Sequence, residues 1–149
     1  MAETTARASA WPEFVRLFGK LRDETKGGRA VVLVEGERDR RSLRALGLEG
    51  PIELVHAGRT MSGLAARLSR DGRRVIVLTD WDSAGGQLAR KLREFLEAEA
   101  VGIDLEYRRR LARVLRGEVV HVEGLNGWAR RTAVEAGTPI EDGVGESSG

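Results

Sequence analysis

The chain has 149 residues, of which 41% are hydrophobic and 32% are charged; this composition is typical of one globular domain and excludes a disordered chain or a membrane protein. Its 25 basic and 23 acidic residues leave a net charge of +2, which permits a nucleic-acid partner without requiring one. The chain has no cysteine and only two histidines, so disulfides, thiol catalysis and thiolate or His-rich metal sites are excluded.

The first predicted element is an N-terminal helix. Residues 1–10 are small and polar, and we expect them to be disordered. In the segment 11–28, apolar side chains recur at helical spacing, and Gly27 and Gly28 provide a typical helix end. The sequence therefore predicts a helix over 11–28, ahead of the main domain.

Strands and helices alternate through the rest of the chain. Four short runs are apolar and rich in β-branched residues, as buried strands are: 30–34, 52–55, 74–79 and 118–122. Amphipathic helices are predicted at 37–46, 60–70, 83–100 and 105–116. This alternation predicts an α/β fold with an open, parallel four-stranded sheet and helices on both faces. The domain is expected to span 29–137, and the polar segment 138–149 is expected to be a flexible tail.

Acidic residues follow two of the predicted strands directly. Glu35 comes after the first strand, and Asp80 and Asp82 come after the third. In a parallel sheet these carboxylates would lie at the same edge, where open α/β sheets bind their ligands. Clustered carboxylates repel one another, and Mg²⁺, or Mn²⁺ in its place, would relieve that repulsion. The alternative is that each acid only caps the helix that follows it.

The residues around these acids resemble a known domain. The two motifs, Val34-Glu35-Gly36-x-x-Asp39 and Leu78-Thr79-Asp80-x-Asp82-x-x-Gly85, in this order resemble the Toprim domain of topoisomerases, bacterial-type primases and the ribonuclease that matures 5S ribosomal RNA. More narrowly, the chain resembles the small stand-alone Toprim proteins found mostly in archaea. The resemblance implies a Toprim fold, Glu35 as general acid or base, and Mg²⁺ bound by Asp80 and Asp82 together with Glu35.

Basic side chains near the predicted strand ends are candidates for phosphate contacts. Of the 25 basic residues 22 are arginine, a side chain that suits bidentate phosphate contacts, although GC-rich coding explains the excess equally well. The candidates are Arg38, Arg59 and Lys91, and a second set is the run 108–110 on a predicted helix. The alternative for the helix arginines is a solvated helix face, and the alternative for Lys91 is a surface residue without a role.

Glycines and a few aromatic residues complete the predicted site. Gly36, Gly58 and Gly85 are expected to permit tight turns and a close approach of phosphate. Trp81, between the two aspartates, is expected to pack against the following helix, with base stacking as the alternative. His121 is expected to be a core or surface residue without a role in the site.

The leading functional hypothesis is a Mg²⁺-dependent Toprim protein that acts on phosphodiester bonds, a nuclease in RNA or DNA processing. One alternative is a non-catalytic module that uses the same site to bind RNA or a protein complex. Another is a primase-like nucleotidyl transferase that needs a partner. We expect nucleic acid as the partner, with a further protein in a processing complex. No apolar stretch of membrane-spanning length and no apolar leader occur, so a cytoplasmic location without membrane contact is expected.

Overall fold

The computed structural model describes residues 2–140, with side chains from Arg7 onward. Six α-helices and four β-strands form over this range. In chain order they are α1 (Ala2–Thr25), β1 (Ala30–Val34), α2 (Glu37–Ala45), β2 (Ile52–Leu54), α3 (Met61–Asp71), β3 (Arg74–Val77), α4 (Ser83–Ala98), β4 (Ile103–Asp104), α5 (Glu106–Leu115) and α6 (Leu125–Glu135). Over this range no helix combines the length and the apolar character that crossing a membrane requires.

The four strands form one open sheet. Their order is β2-β1-β3-β4, and every neighbouring pair is parallel. The predicted fold class is therefore confirmed. β1 has the bounds that its apolar run predicted, and β2 and β3 end one and two residues earlier than predicted.

Both faces of the sheet are covered by helices. Side chains alternate along β1, so Val31 and Leu33 pack with the apolar stripes of α3 and α4. Val32 and Val34 point to the other face, where they join side chains of α1, α2, α5 and α6. Burial on both faces explains why β1 is apolar at every position.

The fourth strand was predicted at the wrong place. Residues 118–121 form no strand, and the chain continues into a 3₁₀ turn, Val122–Gly124. The fourth strand is β4, which pairs with β3 through Ile103 and Asp104. A two-residue strand carries too few side chains to show an alternating pattern. The apolar run near residue 120 instead packs on the core without strand pairing, with Val122 buried and Val119 partly buried.

The N-terminal prediction needs correction as well. Residues 2–10, expected to be disordered, continue α1 toward the N-terminus. The reason is tertiary: the guanidinium of Arg7 binds Glu135 on α6 (Nε to Oε2, 2.8 Å) and Glu118 (3.1 Å). α1 is therefore an integral part of the domain.

The C-terminal region differs from the prediction over its first residues. Sequence reasoning did not predict α6, whose Trp128 is buried against Phe14 with ring centroids 5.1 Å apart. Within the predicted tail, Thr138 accepts a hydrogen bond of 3.0 Å from the indole of Trp11, and Ile140 packs on the core. The remainder of the predicted tail, 141–149, lies outside the described residues.

Candidate metal centre

The carboxyl ends of β1 and β3 lie side by side in the middle of the sheet. The chain leaves β1 toward β2 on one side and leaves β3 toward β4 on the other. Open α/β sheets bind ligands in the crevice that such a reversal of strand order creates. Glu35 follows β1 and Asp80 lies just beyond β3, so both acids lie at this crevice.

Glu35 contacts the loop after β3 directly. Its Oε2 accepts a hydrogen bond of 2.9 Å from the backbone N–H of Asp80. This bond confirms the expectation that the acids after the two strands come together. The other carboxylate oxygen of Glu35 accepts no hydrogen bond from residues 2–140, which leaves it available to a ligand.

Asp80 is half-buried between Glu35 and a later segment of the chain. Its Oδ1 accepts a hydrogen bond of 2.8 Å from the backbone N–H of Val122. Burial raises the pKa of the Asp80 carboxyl, and the nearby carboxylates of Glu35 and Asp82 raise it further. The N–H of Val122 and the imidazole of His121 only partly oppose this rise. A divalent cation would remove the unfavourable interaction by neutralising the cluster.

Asp82 caps a helix and also lies in the candidate site, so the two roles that the sequence left open do not exclude each other. It is the N-cap of α4, because its Oδ1 accepts a hydrogen bond of 2.7 Å from the N–H of Gly85. Its other oxygen, Oδ2, lies 3.5 Å from Nε2 of His121. One carboxylate oxygen therefore holds the helix, and the other lies beside an imidazole that could ligate a metal.

His121 reaches the site through the segment that was wrongly predicted as a strand. The backbone N–H of Trp81 donates to the carbonyl of Val120 (2.9 Å), and the Trp81 indole N–H donates to the carbonyl of Val119 (2.6 Å). With the bond from Val122 to Asp80, these contacts hold His121 beside the two aspartates. Sequence reasoning missed His121 because no local pattern relates it to them.

Asp80, Asp82 and His121 together suit a divalent cation. One ligand atom from each lies within 4.8 Å of the other two, which is close enough for all three to ligate a single ion. Carboxylate oxygens suit Mg²⁺ and Mn²⁺, whereas an imidazole nitrogen suits first-row transition metals. The group could hold Mn²⁺ through all three side chains, and Mg²⁺ through its carboxylates. Glu35 is outside this group and lies next to it through its bond to Asp80.

Asp39 adds a buried acid behind the site. It is 7% exposed, and its Oδ2 accepts a hydrogen bond of 3.0 Å from the N–H of Gly36 at the start of α2. Burial raises the pKa of Asp39, and the charges of Asp80 and Glu123 add to the rise. Asp39 therefore fixes the turn that presents Glu35.

Arg108 is the basic side chain that the structure brings to the acids. From α5 its Nη2 donates to the carbonyl of Asp80 (2.8 Å), and its Nε donates to the carbonyl of Thr79 (3.2 Å). Burial lowers its pKa, while the carboxylates of Asp82, Asp80 and Glu35 act against this change. The sequence marked Arg108 only as part of the basic run on a helix.

The three other basic candidates, like Arg108, form no ion pair with the acids of the site, and they do not bind its backbone either. Arg59 is held by Glu53 (3.4 Å) and by the carbonyl of Leu54 (3.3 Å). Arg38 and Lys91 are exposed and form no ion pair or hydrogen bond with any described residue. None of the three lies within ion-pair distance of Glu35, Asp80 or Asp82.

The three glycines differ in what they contribute. A Cβ at Gly85 would lie 1.8 Å from the carbonyl oxygen of Asp80, so only glycine lets α4 begin this close to the site. Gly58 has a φ of +76° and occupies the left-handed region that glycine favours. Gly36 has an extended backbone that any residue adopts, and a Cβ there would meet open space.

Several proteins that are similar to this chain in sequence share one family name. A UPF0292 protein of Thermococcus gammatolerans is 36% identical over 120 residues, which cover 80% of this chain and 86% of that protein. A UPF0292 protein of Methanosarcina barkeri is 33% identical over 114 residues, covering 76% and 79% of the two chains. One from Thermococcus kodakarensis is 30% identical over 134 residues, covering 90% and 98%. No protein-family model matches the sequence.

One solved structure shares the fold. It is a protein from Aquifex aeolicus with a TM-score of 0.61 and 24% identity, covering 73% of this chain and 94% of that one. At this identity the match concerns the fold alone.

Proposed function

The chain belongs to the UPF0292 family, and we propose that it is a metal-dependent nuclease that hydrolyses phosphodiester bonds in RNA or DNA processing. The observation that carries the proposal is the group of Asp80, Asp82 and His121 next to Glu35, at the crevice between β1 and β3. The proposal includes Mg²⁺ or Mn²⁺ as cofactor, nucleic acid as substrate, a protein partner in a processing complex and a cytoplasmic location.

The chain's own residues supply the parts that hydrolysis needs. When bound, the cation would stabilise the negative charge that builds up on the phosphoryl oxygens. Glu35 accepts the proton of the attacking water through its free oxygen, as the bond from that water to phosphorus forms. The bond from phosphorus to the leaving oxygen then breaks, and the leaving oxygen takes a proton from solvent. Arg108, bonded to the Asp80 carbonyl, holds a fixed positive charge beside the same carboxylates.

The resemblance to the Toprim domain supports this proposal. Its motifs supply a glutamate after the first strand and an Asp-x-Asp pair after the third. Strands β1 and β3 are neighbours in the sheet, which is the arrangement that a shared site for these acids needs. His121 is not part of either motif, so the proposed metal ligands extend beyond the resemblance.

A non-catalytic, metal-dependent nucleic-acid-binding module is the second candidate. One observation favours it: two of the acids already have structural roles. Glu35 binds the backbone of Asp80, and Asp82 caps α4. A site with these contacts could bind a cation and a phosphate without transferring a proton.

Cleavage by the full chain distinguishes the two candidates. End-labelled single-stranded RNA and DNA are incubated with the protein in Mg²⁺, Mn²⁺ or EDTA, and the products are separated on a gel. We expect cleavage in either metal and none in EDTA, with Glu35→Gln slower by about 10²–10⁴-fold, the usual contribution of a general base.

The control variant is Glu49→Gln, an exposed acid in the segment before β2, and it should cleave at the wild-type rate. Binding without cleavage under every condition would reject the enzyme and leave the binding module. Cleavage that survives the pair Asp80→Asn and Asp82→Asn would show that the site is elsewhere.

A further inference from the structure

A cleft between α4 and α5 opens beside the candidate metal centre. Its volume is about 300 Å³. Four arginines line it: Arg90 and Arg93 from α4, and Arg108 and Arg109 from α5. No acidic residue is part of its wall, so the charged side chains that line it are all basic.

Three of the four arginines of this cleft, all except Arg108, are available to an anion. Arg90 forms no ion pair or hydrogen bond with residues 2–140. Arg93 and Arg109 pair only with exposed glutamates of their own helices, Glu97 (3.3 Å) and Glu106 (2.8 Å). Exposed pairs of this kind contribute about 0–1 kcal/mol, so a phosphate can replace the glutamates at little cost.

Two residues connect the cleft to the metal centre. Arg108 lines the cleft and donates hydrogen bonds to the carbonyls of Thr79 and Asp80. Trp81 also lines the cleft, and it lies in the chain between Asp80 and Asp82. An anionic polymer lying in the cleft would therefore continue directly to the carboxylates.

We propose that this cleft binds the sugar–phosphate backbone of the nucleic-acid strand whose phosphodiester bond lies at the metal centre. The inference rests on the proposed function, and it specifies the path of the substrate. The nucleic-acid strand then lies over α4 and α5. It does not follow α2, which carries Arg38, the phosphate contact that the sequence suggested. Arginine suits this role because its planar guanidinium binds phosphate oxygens in pairs, and the aromatic face of Trp81 offers a surface for a base.

Binding, measured without cleavage, tests the path. The full chain is titrated into fluorescently labelled single-stranded RNA, single-stranded DNA and duplex DNA, and fluorescence anisotropy is followed in EDTA at several salt concentrations. The test variant is the triple substitution Arg90→Gln, Arg93→Gln and Arg109→Gln. Arg108 is left unchanged because it holds the backbone of the site.

We expect the triple variant to bind at least tenfold more weakly than the wild type to whichever nucleic acid the wild type prefers. Its plot of log affinity against log salt should also flatten, by about 0.7–0.9 for each phosphate that the variant no longer binds. The corresponding Arg→Lys triple variant keeps the charge and should recover most of the affinity.

The matched control removes the same charge from other faces, through Arg16→Gln, Arg22→Gln and Arg70→Gln, all exposed in the structure. It should bind within about twofold of the wild type, since salt-dependent affinity arises from local phosphate contacts. Circular dichroism checks that both triple variants fold; a cleft variant that fails to fold is replaced by Arg90→Gln alone, which removes no intramolecular pair.

Three results would overturn the inference: equal binding by the cleft variant and the wild type, an equally weakened matched control, or no binding of any nucleic acid by the wild type. Selective weakening in the cleft variant supports the inference even if no metal yields cleavage, an outcome that rejects only the proposed enzyme. If the cleft variant cleaves nucleic acid with an unchanged KM, the proposed substrate path is rejected and the proposed nuclease activity is not.

Discussion

Asp80 is the residue on which the contacts of the candidate site converge. Its backbone N–H binds Glu35, its carbonyl accepts from Arg108, and its side chain accepts from Val122. The atoms of one residue thus join β1, α5 and the segment before α6. A substitution that keeps the side-chain acceptor, such as Asp80→Asn, removes the charge and leaves this set of contacts in place.

His121 is expected to make the site bind Mn²⁺ more strongly than carboxylates alone would. Replacing it with alanine removes the only nitrogen ligand of the group, so Mn²⁺ affinity should fall at least about tenfold, with a smaller effect on Mg²⁺. Isothermal titration calorimetry measures both affinities. His56→Ala, which removes the other histidine of the chain, is the control; equal Mn²⁺ affinity in the two variants would remove His121 from the site.

Gly85 should tolerate no side chain. An alanine Cβ there would lie 1.8 Å from the Asp80 carbonyl oxygen, and the required backbone shift should lower the free energy of unfolding by about 3 kcal/mol. The same substitution at Gly19, inside α1 with no atom within 4 Å of the Cβ position, should raise it by about 0.5–1 kcal/mol. Urea denaturation measures both changes. Similar effects in the two variants would contradict the predicted close approach.

At the scale of elements, a charged network ties α1 to the sheet and to α5, away from the metal site. Glu24 at the end of α1 accepts a hydrogen bond of 2.8 Å from the Tyr107 hydroxyl on α5 and pairs with Arg74 of β3. Arg74 also binds Asp104 of β4 at 2.5 Å. Burial raises the pKa of Glu24, but the bonds from Tyr107 and Arg74 outweigh it and leave this pKa below its usual range.

This lowered pKa predicts a pH-dependent contribution to stability. A carboxyl with a lower pKa in the folded state stabilises the protein above its unfolded-state pKa, and the contribution disappears as the pH falls through the folded-state pKa. The wild type should therefore be more stable than Glu24→Gln at pH 7, and the difference should shrink as the solution is acidified below the ordinary glutamate pKa. Thermal unfolding of both proteins across about pH 3–7 measures this difference in stability. A stability difference that does not change with pH would contradict the prediction.

For the whole molecule, α1 is a structural part of the domain. Four of its apolar side chains, Phe14, Leu17, Phe18 and Leu21, are each at most 6% exposed and join the core of one sheet face. Burial of each is worth about 1.5–3 kcal/mol. Their sum is comparable with the total stability of a typical domain, about 5–15 kcal/mol.

A chain that begins at residue 29 should therefore not fold. We expect no cooperative unfolding transition by circular dichroism and poor dispersion in its NMR spectrum, since one face of the sheet would no longer be covered. A chain that begins at Arg7 keeps the pairs with Glu118 and Glu135 and should unfold cooperatively. Cooperative unfolding of the shorter chain would show that the domain does not need α1, and that α1 is a separate helix, as the sequence predicted.

The sequence was sufficient for the elements whose patterns are local. The apolar run of β1 and the helical spacing in α2, α3 and α4 depend on neighbouring residues, and their predicted bounds differ from the structure by two residues or fewer. β4 and α6 were missed: the first has two residues, and the second has a broad buried surface that includes Trp128 and Ala129 rather than a clear stripe.

The chain by itself determined the parallel α/β class and the acids at its strand ends, because periodicity and a residue's place after a strand are properties of short segments. Only the tertiary structure decided that β1 and β3 are neighbours, that Arg108 and not Arg59 binds the backbone of the loop that carries Asp80, and that His121 joins Asp80 and Asp82. These relations join segments far apart along the chain. These contacts form only when the helices pack on both faces of the sheet, so the sequence of any one segment is not enough to predict them.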